Sequence, residues 1–292
     1  MELLRLGAKG SETPVLKRGE TYYDLTELVG DIDQKIWGKL DAIRQAADAG
    51  ELKELAGAKD LRVGSPVAAA GSIICIGQNY AAHAAESGAE PPTEPVVFFK
   101  SPNTITGPYD EVGIPPQSLK TDWEVELALV ISKPAAYLKS NEEAAACIGG
   151  YMVANDLSER EYQIELSGGQ WSKGKCFPES MPLGPVLRTA DDFDPRAVNL
   201  RSWVNGEARQ DSNTSDMIFS VEDIVRELSW FMRLEPGDII STGTPEGVAF
   251  SGRFPYLTAG DTTDLEIEGL GAQKQTYYQV EVEGSRLESR GA

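Results

Sequence analysis

Residues 122–131 read DWEVELALVI. Side chains alternate across a strand, so Trp123, Val125, Leu127, Leu129 and Ile131 share one face, and Glu124 and Glu126 share the other. Two positions along a strand span roughly 7 Å, close enough for two glutamates to converge on one cation. A half-buried strand with its polar face in water gives a similar pattern. Here the glutamate face continues into Ala128 and Val130, which speaks for a strand whose one end lines a pocket.

Strand-like segments surround it. EPVVFFK, EVGIP, GYMVAND, GPVLRT, NLRSWVNG, GDIISTG, TDLEIEGLG and TYYQVEVEG alternate or run apolar between Gly and Pro breaks. Helical spacing is confined to NEEAAACIGG, SEREYQIEL and VEDIVRELSWFMR. So many strands with so few helices between them argue against a doubly wound parallel sheet and predict a mixed α+β domain built on a folded-over sheet. This catalytic domain is expected over residues 69–292. Residues 1–68 read as a small N-terminal α/β domain: strands ELLRLG and VLKRGETYYDLT with a KRGE hairpin, then a helix in KIWGKLDAIRQAADAG. Ile36, Leu40 and Ile43 lie on one face of that helix, and Gly50 ends it.

Composition narrows the function. The 292 residues carry 46 acidic against 27 basic side chains, a formal charge of −19. Such a surface lacks the basic footprint of a nucleic-acid binder, and an anionic substrate would need a local basic pocket. No apolar run reaches the roughly 18 residues of a membrane span, and MELLRLGAKGSETP has no secretion-signal core, so a cytoplasmic protein is expected. Cys75, Cys147 and Cys176 form no close-spaced pair. One histidine excludes a zinc site built on several imidazoles, leaving oxygen-held ions: magnesium, manganese or calcium.

Further groups carry two readings each. In GYMVANDLSEREYQ, Asp156 and Glu159 have helix-capping spacing, or Asp156 is a third carboxylate for the same cation. In WSKGKCF, Lys173 and Lys175 fall on one side of an extended segment, as a solvated loop or as partners of a substrate carboxylate or enolate. LEPGDIISTGTPEGV offers N–H groups and hydroxyls to small anions, without matching a phosphate loop or dinucleotide fingerprint. His83 is either a lone surface histidine or a general base whose tautomer and basicity Glu86 sets. The segment around it, residues 80–94, ends in a Pro-rich stretch and is expected to close as a lid.

Taken in order, GQNYAAHAAES, PVVFFK, DWEVELALVI, GYMVANDLSEREYQ, GGQWSKGKCF, LGPVL and PGDIISTGTPEGV closely resemble the fumarylacetoacetate hydrolase family from about residue 72 to 282. SEREYQ followed by SGGQWSKGK resembles the branch acting on 2,4-diketo-3-deoxy sugar acids and acylpyruvates. The resemblance implies a mixed β-roll catalytic domain, a homodimer, and Mg²⁺ or Mn²⁺ (or Ca²⁺ in a crystal) on Glu124, Glu126 and Asp156. It implies His83 and Glu86 as a catalytic dyad, Lys175 as the active-site lysine, and Lys100, Gln163 and Thr244 near the substrate. The chain departs from the family in KCFPESMPLGP after the lysine and in Gln78, where relatives often carry Arg or Leu. The expected activity is hydrolysis of the C–C bond of a 2,4-diketo acid, releasing pyruvate and a carboxylic acid. Oxaloacetate decarboxylation, or isomerisation of an unsaturated 2-oxo acid, would use the same site. A catalytically silent protein with a structural cation has no need to keep His83, Glu86 and Lys175 together.

Overall fold

The computed structural model describes residues 1–88 and 90–283. Its larger sheet has ten strands in the order Lys53–Glu54, Thr21–Asp24, Thr13–Arg18, Glu2–Leu6, Leu187–Thr189, Ile148–Asn155, Val125–Ile131, Ile239–Ser241, Ile73–Gly77 and Val96–Lys100. Neighbours run antiparallel except Ile239–Ser241 beside Ile73–Gly77, which are parallel. The expected mixed sheet is present. Residues 1–68 share it: Leu3 pairs with Leu187, so the hydrogen-bond ladder crosses from the N-terminal segment into the catalytic one. A second sheet contains Glu207–Asn213, Asn199–Val204, Thr262–Ile267, Gly271–Gln279 and Val112–Ile114.

These layers explain the central strand. On one side, Leu127, Leu129 and Ile131 pack against Leu200, Leu265 and Ile267 of the second sheet, and against Ile224, Val225 and Leu228 of the helix Val221–Phe231. That helix starts on a capping box between Ser220 and Asp223. On the other side, Ala128 and Val130 join a core with Ile36 and Ile43 from the N-terminal helical segment. All seven residues Val125–Ile131 are therefore buried, and the reading of a half-buried strand is corrected. A strand covered on both faces reads apolar throughout, and within it only Glu126 breaks the pattern, with Glu124 just before its start.

Register then assembles the site. Val125 pairs with Asn155 in antiparallel order, so the start of one strand and the end of the next lie at the same end of the sheet. Glu124, Glu126 and Asp156 meet there. Ile73–Gly77 leads from the same region into the helix Ala81–Ser87, which carries His83.

Candidate active site

Glu124, Glu126 and Asp156 are buried and offer one oxygen each, all within 4.8 Å of one another. Lys175 Nζ lies between two of them, 2.6 Å from Glu124 Oε2 and 2.8 Å from Asp156 Oδ2. Arg160 Nη2 donates to Glu124 Oε1 at 2.7 Å. Burial opposes ionisation of Glu124, but Lys175 and Arg160 outweigh it and hold the carboxyl down to about 2. Burial drives Glu126 the other way, well above the usual carboxylate range, and the neighbouring Asp156 and Glu124 add to the rise. Ser241 Oγ and Gly243 N–H both donate to Glu126 Oε2, at 2.5 and 3.0 Å. Gly243 has φ +100°, where a side chain is strained, and a Cβ there would fall 2.9 Å from Asn79 Cβ.

The donor set fits a hard divalent cation. Three convergent carboxylates would supply oxygen ligands, and no neutral donor reaches Asp156 Oδ1. Lys100 Nζ lies 2.8 Å from that oxygen as an ion pair, but its hydrogen bond goes to Leu157 O at 3.0 Å. Lys100 thus sits buried behind Asp156 and does not line the cavity.

That cavity is about 80 Å³ and is lined by Glu124, Glu126, Lys175 and Arg160, with His83, Gln163, Thr244 and Gln78 beside the side chains of Phe98, Ile164, Trp171 and Phe250. Phe98 faces Lys175 Nζ at 4.9 Å from the ring centre and packs on Trp171. A Cβ at Gly77 would come 2.7 Å from the Trp171 ring, so glycine admits the indole. Gln163 Oε1 accepts from Arg160 Nη1 at 2.9 Å. Thr244 Oγ1 donates to Val125 O and accepts from Gln210.

Several local expectations are corrected. WSKGKCF is not extended: Ser172–Lys175 is a helical turn, which buries Lys175 and leaves Lys173 exposed. SEREYQIEL forms a short strand, Ser158–Glu159, and then a π-helical turn, Glu161–Glu165, which presents Gln163 to the cavity. Asp156 makes no helix cap. The N–H groups of PGDIISTGTPEGV serve the protein's own carboxylates, Gly243 on Glu126 and Gly247 on Glu86.

His83 lines the cavity, with Nδ1 3.9 Å from Glu86 Oε2, beyond hydrogen-bond reach. Glu86 is held instead by Gly247 N–H at 3.1 Å and by Arg253 at 2.7 Å. The expected rise in His83 basicity is reversed. Burial lowers its pKa, and the opposing pull of Glu124 and then Glu86 does not restore it. A neutral imidazole at the cavity wall is a base in its active form.

Arg160 and Asp122 escaped the sequence reading. Their signal was oppositely charged residues flanking the carboxylates, Asp122 two before Glu124 and Arg160 four after Asp156.

The model for the Fumarylacetoacetate (FAA) hydrolase C-terminal domain matches residues 72–277. The chain belongs to the fumarylacetoacetate hydrolase family. Within the family, a relative from Burkholderia multivorans, whose name specifies no substrate, is 45% identical over 283 residues, covering 94% of this chain and 98% of that protein. The fumarylacetoacetate hydrolase of Exiguobacterium antarcticum superimposes with a TM-score of 0.83 at 32% identity, covering 96% of this chain and 100% of that one. Maleylpyruvate hydrolase from Sphingobium sp. SYK-6, solved with manganese(II) and pyruvate, gives 0.79 at 26% identity, with 96% and 100% covered. The 2-hydroxyhepta-2,4-diene-1,7-dioate isomerase of Mycobacterium marinum gives 0.74 at 29%, with 98% and 100% covered. Among the described residues, no helix is long and apolar enough to cross a membrane.

Proposed function

We propose that this protein is a divalent-metal-dependent hydrolase of 2,4-diketo acids, acting on an acylpyruvate or a 2,4-diketo-3-deoxy sugar acid as a homodimer. The observation that carries the reading is a cluster of three convergent carboxylates, two of which line a cavity together with the Lys175 ammonium and the His83 imidazole. Glu124, Glu126 and Asp156 would hold Mg²⁺ or Mn²⁺, which when bound supplies Lewis acidity toward the 2-oxo acid end of the substrate. Arg160 and Lys175 give the anionic substrate the local positive charge that the −19 chain otherwise lacks. His83, unprotonated, takes a proton from water as the oxygen adds to the C4 carbonyl. The C3–C4 bond then breaks, its electron pair stays on the three-carbon fragment, and a proton at C3 completes pyruvate. Acyl carbon and hydroxyl leave as the carboxylic acid. Lys175 is kept charged, because Asp156 and Glu124 overcome its burial, so it has hydrogen bonds to offer the oxygen on which negative charge gathers.

The likeness to the M. marinum isomerase favours a second reading, in which His83 moves a proton on an unsaturated 2-oxo acid without water attack. A panel of acylpyruvates, diketo sugar acids, oxaloacetate and an unsaturated 2-oxo diacid, assayed with Mg²⁺ and Mn²⁺, separates the two. Pyruvate with an equimolar carboxylic acid supports hydrolysis. Carbon dioxide release, or an absorbance shift without fragmentation, overturns it.

A further inference from the structure

One buried carboxylate beside this site does not face the cavity. Asp122 is 0% exposed and accepts four N–H hydrogen bonds, with a further Arg160 nitrogen in ion-pair contact. On Oδ1 they come from Trp123 N and Ala249 N, both at 2.9 Å. On Oδ2 they come from Phe250 N at 2.9 Å and Arg160 Nε at 2.8 Å, and Arg160 Nη2 lies 2.7 Å from the same oxygen as an ion pair.

Those donors belong to three separate segments. Trp123 lies just before Glu124 and the strand Val125–Ile131, which carries Glu126. Arg160 precedes the π turn and continues to Glu124 and Gln163. Ala249 and Phe250 belong to the 3-10 turn Ala249–Ser251, and the Phe250 ring lies 5.2 Å from the Arg160 guanidinium carbon. The same loop holds Glu86 on either side of that turn, through Gly247 and Arg253. Glu86 in turn shares the helix Ala81–Ser87 with His83.

We propose that Asp122 is a positioning residue: its carboxylate locks Arg160 and the Ala249–Ser251 turn to the Glu124 strand, so that the metal-ligand end and the His83 end of the cavity keep one relative geometry. The chemistry requires a carboxylate there. Asparagine has the same size, but it replaces one acceptor oxygen with an NH₂ that points hydrogens at donors. Residues that orient a metal site's working groups from behind cost about 10- to 100-fold in activity or metal affinity when altered.

The activity arm of the test rests on the hydrolase reading; the exchange arm does not. Asp122→Asn is compared with the parent chain for kcat and KM of pyruvate release, thermal midpoint, and hydrogen exchange at residues 81–88 and 247–253 with Mn²⁺ and oxalate bound. Expected are a kcat lower by about 10- to 100-fold and faster exchange in both segments. Unchanged exchange there, or a kcat loss no larger than the fraction unfolded, overturns the proposal. Ala249→Pro is the second variant, should Asp122→Asn not fold. It deletes one donor at the first position of the turn, where proline is tolerated, and Val248 before it is already extended (φ −82°, ψ 158°). It is expected to speed exchange at 81–88 in the same way, and parent-like exchange counts against the lock. Where both fold, the double variant is expected to lose no more than Asp122→Asn alone, whereas fully additive losses overturn action through the turn. A parent chain that releases pyruvate from no substrate defeats the hydrolase reading alone, and exchange still decides the role of Asp122.

Discussion

Two clusters of charge lie inside this molecule, and they behave differently. Near the N-terminus, Arg5 forks onto Asp31 at 2.7 and 2.9 Å, and Arg62 bridges Glu12 at 2.8 Å and Asp110 at 2.7 Å. It borders a cavity of about 400 Å³, five times the volume at the catalytic cluster. Yet each arginine has its carboxylates. Burial opposes ionisation of Asp110, but Arg62, Thr106 and the Gly107 N–H overcome it and lower its pKa. Water reaches the cluster as well, with the Asp31 side chain 34% exposed and that of Arg62 27%. In the candidate site Glu124, Asp156, Lys100, Lys175 and Arg160 are at most 7% exposed, Glu126 is pushed toward its neutral form, and Asp156 Oδ1 meets the Lys100 ammonium as an ion pair. Volume alone would point to the N-terminal cluster. Crowding of buried acids against one another, with one carboxyl pushed toward its neutral form, marks the other as the candidate site.

The comparison breaks most visibly if its acids are exchanged. Glu124→Ala or Glu126→Ala should abolish metal binding and turnover together, because two carboxylates beside Lys175 no longer make a divalent site. Full activity in either variant, or after exhaustive chelation, would sink the metal assignment. Next in size is His83→Ala, expected to cost on the order of 10² to 10⁴ in kcat with metal affinity nearly unchanged. A metal-free His83→Ala protein would make the imidazole a ligand instead.

Protonation sharpens the contrast further. With its pKa raised, Glu126 holds a proton at pH values where ordinary carboxylates have lost theirs, and a bound cation must expel it. Metal affinity should therefore rise with pH up to that raised pKa and fall below it. Calorimetry in buffers of different ionisation enthalpy should show proton release on binding, and none would contradict the assignment. The low-pH limb of the rate profile should fall below the ordinary imidazole value of about 6.5, since burial favours the neutral base. Glu86→Gln should move that limb slightly lower again, because it removes a minor stabiliser of the imidazolium. The smallest catalytic effect belongs to the other cluster. Arg62→Ala should lower stability by about 1–3 kcal/mol while leaving kcat within a factor of two or so, read by denaturant unfolding beside the pyruvate assay. A large kcat loss there would erase the distinction between the clusters.

Much of this was legible in short-range pattern. Alternation exposed Glu124 and Glu126, the junction after GYMVAN supplied Asp156, and the single imidazole drew attention to His83. What stayed hidden depends on contacts far apart in sequence. Asp122 looks like an ordinary strand edge until residues 249 and 250, which are 127 and 128 positions away, donate to it. Arg160 looks like part of a helix until the π turn and the buried glutamate give it a partner. Lys100 shows the converse: its ammonium belongs behind Asp156, a placement fixed by sheet order rather than by its neighbours in PVVFFK. The lid expected at residues 80–94 is described as the helix Ala81–Ser87, and Ala89 lies outside the described residues.

The strand Val125–Ile131, enclosed on both faces, has a consequence for how such an enzyme can change. None of its positions is free to drift, because six side chains are part of one core or the other and Glu126 belongs to the carboxylate cluster. Gln78, Ile164 and Phe250 line the cavity from connecting segments, where a new side chain disturbs no sheet. Adaptation to a new substrate therefore has a place to happen: the buried carboxylates and the strand beside them change as a block, and selection for substrate acts on the rim.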